Sequence, residues 1–246
     1  MKLSHTESTP ATAAVDLLVL GVPSDGIAEA LEAALGAFGT QLAEAATAEG
    51  FKGKVGTTLV TRTFNLIPAR RVCVVGLGNT RSVDGIRRAA GAGASVARAA
   101  GDQRVAYALG ALSADEENAL VEGIEAGTYR FDRYKPEAGR KAIATEVQIL
   151  GSTANDAGLG TAVAEGQSFA RDLVNEQPDV LYPETLADFA QALASDNITV
   201  EVWEGDKLVE EKMHGMLAVG RGSNRGPRFI HLTYTPAGTP RRRRRG

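Results

Sequence analysis

Along the first 150 residues, short unbroken apolar runs alternate with stretches whose apolar positions recur at helical spacing. Asp16–Val22 (DLLVLGV), Arg71–Gly76 (RVCVVG) and Arg104–Leu109 are continuous apolar segments bounded by turn residues, as in strands buried on both faces. Thr57–Phe64 and Ile143–Leu150 alternate around β-branched residues and also read as strands. Between them, Ile27, Leu31, Leu35 and Leu42 fall at helix-compatible spacing within Ala28–Ala48. An interruption around Gly36–Gly39 predicts two short helices or one broken one. Val83, Ile86, Ala90, Ala94 and Ala97 mark one face of a helix over Val83–Ala100. Ser113 followed by Glu116 forms a capping-box pattern that opens a further helix, with Leu120 and Ile124 inward. Pro68-Ala69-Arg70 marks a turn, and the polar residues 1–13 predict no fixed structure. Strands alternating with helices predict an α/β fold: a mixed, mostly parallel sheet flanked by helices.

The next stretch changes character. Leu159, Val163, Ala170 and Val174 form one apolar stripe on a long helix. Pro178 has no N–H and disfavours the α region at Gln177, so that helix stops near Asn175–Glu176. Pro183 suits the first turn of a new helix, with Leu186, Phe189, Ala190 and Leu193 as its buried face. Ile198–Trp203 and Arg228–Tyr234 read as strands, and Leu208–Val219 as partly helical. The organisation expected is a compact domain over 1–150, a connecting helix over 151–177, and a new α/β unit over 178–246. No internal repeat occurs, and Arg241–Arg245 is the only low-complexity tract.

Composition narrows the function classes. The 246 residues are 43% hydrophobic and 23% charged, ordinary for a globular chain. The formal net charge is −3, yet five of the 27 basic residues are Arg241–Arg245, leaving 22 against 30 acidic. An acidic body argues against nucleic-acid binding. The lone cysteine, Cys73, allows no intrachain disulfide. The polar N-terminus lacks the apolar core of a secretory signal, and no apolar run approaches the ~20 residues of a membrane helix. The location expected is the cytoplasm.

Residue by residue, little points to chemistry. Gly76-Leu77-Gly78 follows a strand, but Arg81 stands where a dinucleotide fingerprint needs its third glycine, so a tight strand-to-helix turn is the expectation. His5, His214 and His231 show no i, i+4 pairing of a helix-borne zinc site and read as structural or solvated. Cys73, in an apolar strand, reads as an inert thiol. Arg171, Asp172 and Glu176 read as salt-bridge or capping residues of the connecting helix. Arg241–Arg245 attracts phosphates in principle, but no aromatics interleave with the arginines, so a solvated run is expected.

The letters of the connecting region carry more. FARDLVNEQPDVLYPETLADFA (Phe169–Ala190) resembles the segment joining the two domains of the M17 leucyl aminopeptidases, usually written A-R-D-L-V-N-x-P-x-N-x-L-T-P-E-x-L-A. Gln177, Asp179, Val180 and Tyr182 are its departures. VCVVGLGN (Val72–Asn79), EGIEAGTYRFDRYK (Glu122–Lys135) and HGMLAVGRGSNRGPRFIHLTY (His214–Tyr234) are similar to further family motifs in the same order, with Gly226 at a usual proline position. Within these motifs Asp132 and Lys135 match but are not the family's catalytic residues. The resemblance implies a cytosolic peptidase that removes N-terminal residues with two divalent metals, Mn or Zn, and assembles as a homohexamer. It also implies that the catalytic, metal-binding and cofactor-binding residues in this chain are none. The family's V-G-K-G-x-x-F-D-x-G-G and N-T-D-A-E-G-R runs have no match here, so the resemblance implies that 178–246 is the incomplete start of the catalytic domain, its strands Ile198–Trp203 and Arg228–Tyr234 lacking sheet neighbours and exposing edges. The chain alone is therefore expected to be inactive and monomeric or aggregated. The alternative reading is a non-catalytic assembly or ligand-binding module.

Overall fold

The computed structural model describes residues 1–152 and 157–238. They fall into two compact units, Met1–Asp172 and Leu173–Gly246. The first unit holds a six-stranded sheet of β1 (Lys2–Thr6), β2 (Leu17–Pro23), β3 (Thr58–Arg62), β4 (Arg71–Gly78), β5 (Arg104–Ala108) and β6 (Glu146–Leu150), in spatial order β1-β6-β5-β2-β4-β3. Every neighbouring pair is parallel except β3 with β4. The fold is α/β with a mixed, mostly parallel sheet.

Both faces of the central strands are buried, which is why their sequences are unbroken apolar runs rather than alternating ones. Successive side chains go to opposite faces. Leu17, Val19, Cys73 and Val75 pack with Ile86 and Ala90 of α3 (Val83–Ala100) and Leu120 and Ile124 of α4 (Ala114–Thr128). Leu18, Leu20, Val72 and Val74 pack with Leu31 and Leu35 of α1 (Ile27–Leu35) and Leu42 of α2 (Ala37–Ala48). The predicted helix break is Gly36, between α1 and α2. The predicted capping box at Ser113 is present, and Ser82, which the sequence reading does not single out, caps α3. Ser82 Oγ accepts the Gly85 N–H at 3.0 Å, and Ser113 and Glu116 exchange side-chain to backbone bonds at 3.3 and 2.9 Å.

Three expectations are corrected within this unit. Residues 2–6 are not unstructured: β1 extends the sheet beside β6, with Leu3 against the core. KLSHT carries a single large apolar residue, so no local periodicity revealed the strand. Gly76 and Leu77 are not in a turn, because β4 runs on to Gly78. Gly76 is needed for close approach: a Cβ there would lie 2.2 Å from the Lys54 carbonyl oxygen. The third concerns α5 (Gly158–Asn175), which ends where Pro178 predicts. Its stripe faces outward, with Leu159 66% and Val163 44% exposed, and Gly160 and Ala164 are buried instead. The Gly160 N–H donates to Asn118 Oδ1 at 2.5 Å, and a Cβ at Gly160 would lie 2.4 Å from the Asn118 carbonyl oxygen. So close a contact with α4 admits only small residues.

The second unit contains α6 (Pro183–Gln191), β7 (Ile198–Trp203), α7 (Asp206–Glu210), α8 (His214–Gly220) and β8 (Phe229–Tyr234). Pro183 occupies the first turn of α6, and Thr185 Oγ1 accepts the Tyr182 N–H at 3.0 Å. Ala187 and Ala190 are the buried positions of α6, while Leu186 and Leu193 are exposed, a correction to the predicted face. β7 and β8 pair antiparallel, Ile198 opposite Tyr234 through Trp203 opposite Phe229, with the Trp203 and Phe229 rings 4.9 Å apart. Among the described residues this sheet has two strands. A two-stranded sheet is marginal by itself. Among the described residues no helix is long and apolar enough to cross a membrane.

Candidate functional site

The sequence's chemical candidates lie apart from one another. His5 of β1 donates from Nε2 to Glu117 Oε1 of α4 at 2.8 Å. The Glu117 carboxylate is 0% exposed, and its Oε2 has no hydrogen-bond partner among the described residues. His5 thus ties the edge strand to α4, where a floppy start was expected. His231 faces Glu201 across the β7–β8 ladder, at 3.7 Å, and His214 opens α8. Among the described residues no three His, Cys, Asp or Glu side chains gather as a metal site would require.

Cys73 is fully buried in β4, and burial pushes its thiol up to about 12 despite the opposing pull of Arg71. A thiol held neutral in this way is no nucleophile. Arg81 clamps the two loops beside the sheet's carboxyl ends. Its Nε donates to Glu116 at 2.5 Å, and its Nη1 and Nη2 donate to the carbonyls of Leu109 and Ala111 at 2.8 and 2.9 Å. Burial works to raise the Glu116 carboxyl, but Arg81 and the Ser113 bonds outweigh it and hold the carboxyl below its ordinary value.

Arg171 and Asp172 act between helices rather than within α5. The Arg171 guanidinium sits 3.9 Å over the Tyr129 ring and donates to the Ala126 carbonyl at 3.3 Å, while Tyr129 Oη donates to Asp172 at 2.8 Å. A cation at the last carbonyls of α4 is favourably placed against its dipole. Glu176 accepts the Gln177 N–H at 2.9 Å. Asp132 pairs with Lys135 at 2.9 Å and with Arg130 at 3.0 Å, as a surface network. Arg241–Arg245 lie outside the described residues.

The sequence reading missed a crevice in the first unit. From β2 the chain crosses one sheet face through α1 and α2, whereas from β5 it crosses the other through α4. These neighbouring strands therefore form a topological switch point, where ligands of open α/β sheets characteristically bind outside the carboxyl ends. A cavity of about 420 Å³ lies there, lined by Leu20, Ala30, Ala34, Ala108 and Gly110, with Glu7 at its edge. No local signal marked it, because the sequence separations among these residues are long.

The chain matches two family models in order: the cytosol aminopeptidase family N-terminal domain over residues 19–138, and the same family's catalytic domain over residues 168–244. It is 38% identical over 243 residues to the "Probable cytosol aminopeptidase" of Leifsonia xyli, covering 95% of this chain and 47% of that protein. A second such protein, from Synechococcus, is 35% identical over 237 residues, covering 93% and 48%. The chain spans about half the length of the curated relatives it matches. Among solved structures, a mutant of tomato leucine aminopeptidase superposes with a TM-score of 0.81 at 23% identity, covering 98% of this chain and 52% of that one, a likeness of fold. The bottromycin maturation enzyme BotP in complex with Mn superposes with a TM-score of 0.68 at 29% identity, covering 92% and 46%.

Proposed function

Because this chain belongs to the cytosol aminopeptidase family, we propose that it forms the N-terminal domain, the connecting helix and the opening of the catalytic domain of a metal-dependent aminopeptidase that acts on peptides. The observation that carries this reading is the pair of family models matched in order along one chain. The proposed parts are residues 1–150, 151–177 and 178–246. Divalent metals in such an enzyme activate a water and polarise the scissile carbonyl. The described residues offer no cluster of ligands for them, so no hydrolytic step is assigned to these residues. We infer that the 246-residue chain alone does not hydrolyse peptides.

The test is release of leucine from a leucine anilide by the purified chain, with Mn²⁺ and Zn²⁺ supplied separately; manganese comes first because BotP was solved with it. No metal-dependent release is expected. Release that depends on the metal and saturates with substrate would overturn the reading. Light scattering checks the companion expectation that the chain alone does not form a stable hexamer.

A second reading, a module for assembly or ligand binding, draws on one observation. The sheet of the first unit is covered on both faces by its own helices. A unit with two cores of its own has what it needs to fold independently.

A further inference from the structure

The crevice between the carboxyl ends of β2 and β5 has a chemistry that selects against the ligands usual for this position in α/β sheets. Nucleotides and phosphates are ordinarily held by exposed backbone N–H groups at a helix N-terminus, often with basic side chains. No Lys, Arg or His lines this cavity. Arg81 Nη1 lies 3.5 Å from where a Cβ at Gly110 would stand, but its charge is matched by Glu116. The walls are mostly carbon, with three alanines of α1 on one side and Leu20, Ala108 and Leu150 on the others. The single charged group at the cavity is the Glu7 carboxylate, which has no ion-pair partner among the described residues. Beside it, Ser8 Oγ accepts from the Thr6 hydroxyl and the Thr9 and Thr12 hydroxyls share a bond, each at 3.0 Å. The volume, about 420 Å³, falls within the range of small-molecule sites.

We propose that this crevice binds a small primary amine with a compact aliphatic body, its ammonium group at Glu7 and its alkyl part among the α1 alanines. Burial of the alkyl part supplies affinity, and the carboxylate supplies the choice of charge. The site excludes carboxylates and phosphates, since either would bring a second negative charge to Glu7. The reading stands apart from the aminopeptidase assignment.

The experiment is an amide-detected NMR titration of the full 246-residue chain with three probes that share one 3-methylbutyl body: 3-methylbutylamine, 3-methylbutan-1-ol and 4-methylpentanoate. Shifts are expected at Gly21, Gly110 and Gly151, with the amine binding about three- to fivefold more tightly than the alcohol. The carboxylate is expected to give no shift there. Glu7→Gln should bring the amine to the alcohol's affinity and leave the alcohol unchanged, and 0.5 M salt should narrow the same gap. Ala33→Leu places bulk on an exposed alanine of α1 at the cavity and should weaken the amine and alcohol together while helicity is retained. Three results would each overturn the proposal: no shifts at these glycines, equal affinity for amine and carboxylate, or an amine-to-alcohol ratio unchanged by Glu7→Gln.

Discussion

Substituting Gly123 by alanine tests the packing of α3 against α4 directly. The two helices meet along a glycine seam. A Cβ at Gly123 would lie 2.2 Å from the Arg87 carbonyl oxygen and 3.0 Å from Ala90 Cβ, and one at Gly127 would lie 2.4 Å from the Gly91 carbonyl oxygen. Carbon–oxygen contacts settle at about 3.3 Å, so α4 must retreat by about 1 Å. The obstructing atom is backbone, which cannot rotate aside. Over-packing of this kind costs about 1–3 kcal/mol, against a gain of up to about 1 kcal/mol from alanine's better helix propensity. The expected net loss is about 1–2 kcal/mol, a fall in melting temperature of about 2–8 °C for a unit of this size. Thermal unfolding followed by circular dichroism reads it. Gly166→Ala in α5 is the control, because nothing lies within 4 Å of a Cβ there. It should raise stability by up to about 1 kcal/mol. If Gly123→Ala melts at or above the parent temperature, the seam reasoning is wrong.

Two further predictions concern titratable groups. Asp16 accepts the backbone N–H groups of Gln103 and Arg104 at 3.2 and 2.9 Å and pairs with the Arg104 side chain at 3.4 Å. Burial pushes its carboxyl up, but these bonds and charges prevail and hold it below the ordinary carboxylate value. Its contribution is therefore complete above the unfolded value near pH 3.9 and is lost as pH falls through the lower folded value. Asp16→Asn should cost about 1 kcal/mol at pH 7, with the gap closing toward pH 2 in urea titrations; a gap independent of pH would refute the assignment. Cys73, buried and held to about 12, should resist a thiol reagent at pH 8 until the first unit unfolds. Full labelling of the native chain within minutes would contradict its placement.

Much of this molecule could be read without coordinates, and the reason is locality. Unbroken runs such as DLLVLGV are the signature of a strand covered on both faces, and β2 lies within one residue of the predicted segment. Ser113 with Glu116, Pro178 and Pro183 act through bonds or missing bonds within a few residues, so they place helix ends correctly. The misses share the opposite property. β1 exists because β6 offers a ladder and Glu117 offers a partner to His5, more than 100 residues away. The outward stripe of α5 reflects how closely Asn118 approaches Gly160, which no helical periodicity encodes.

Composition and periodicity by themselves determined the fold class and most element positions, while the letters of four ordered motifs carried the family resemblance. The tertiary structure decided the strand order, the glycine seam, the Arg171–Tyr129 stack and the crevice at Glu7. These depend on which distant segments the sheet brings together. A residue's spacing reports its own helix or strand, while its partners are chosen by the global packing that buries both faces of the sheet at once.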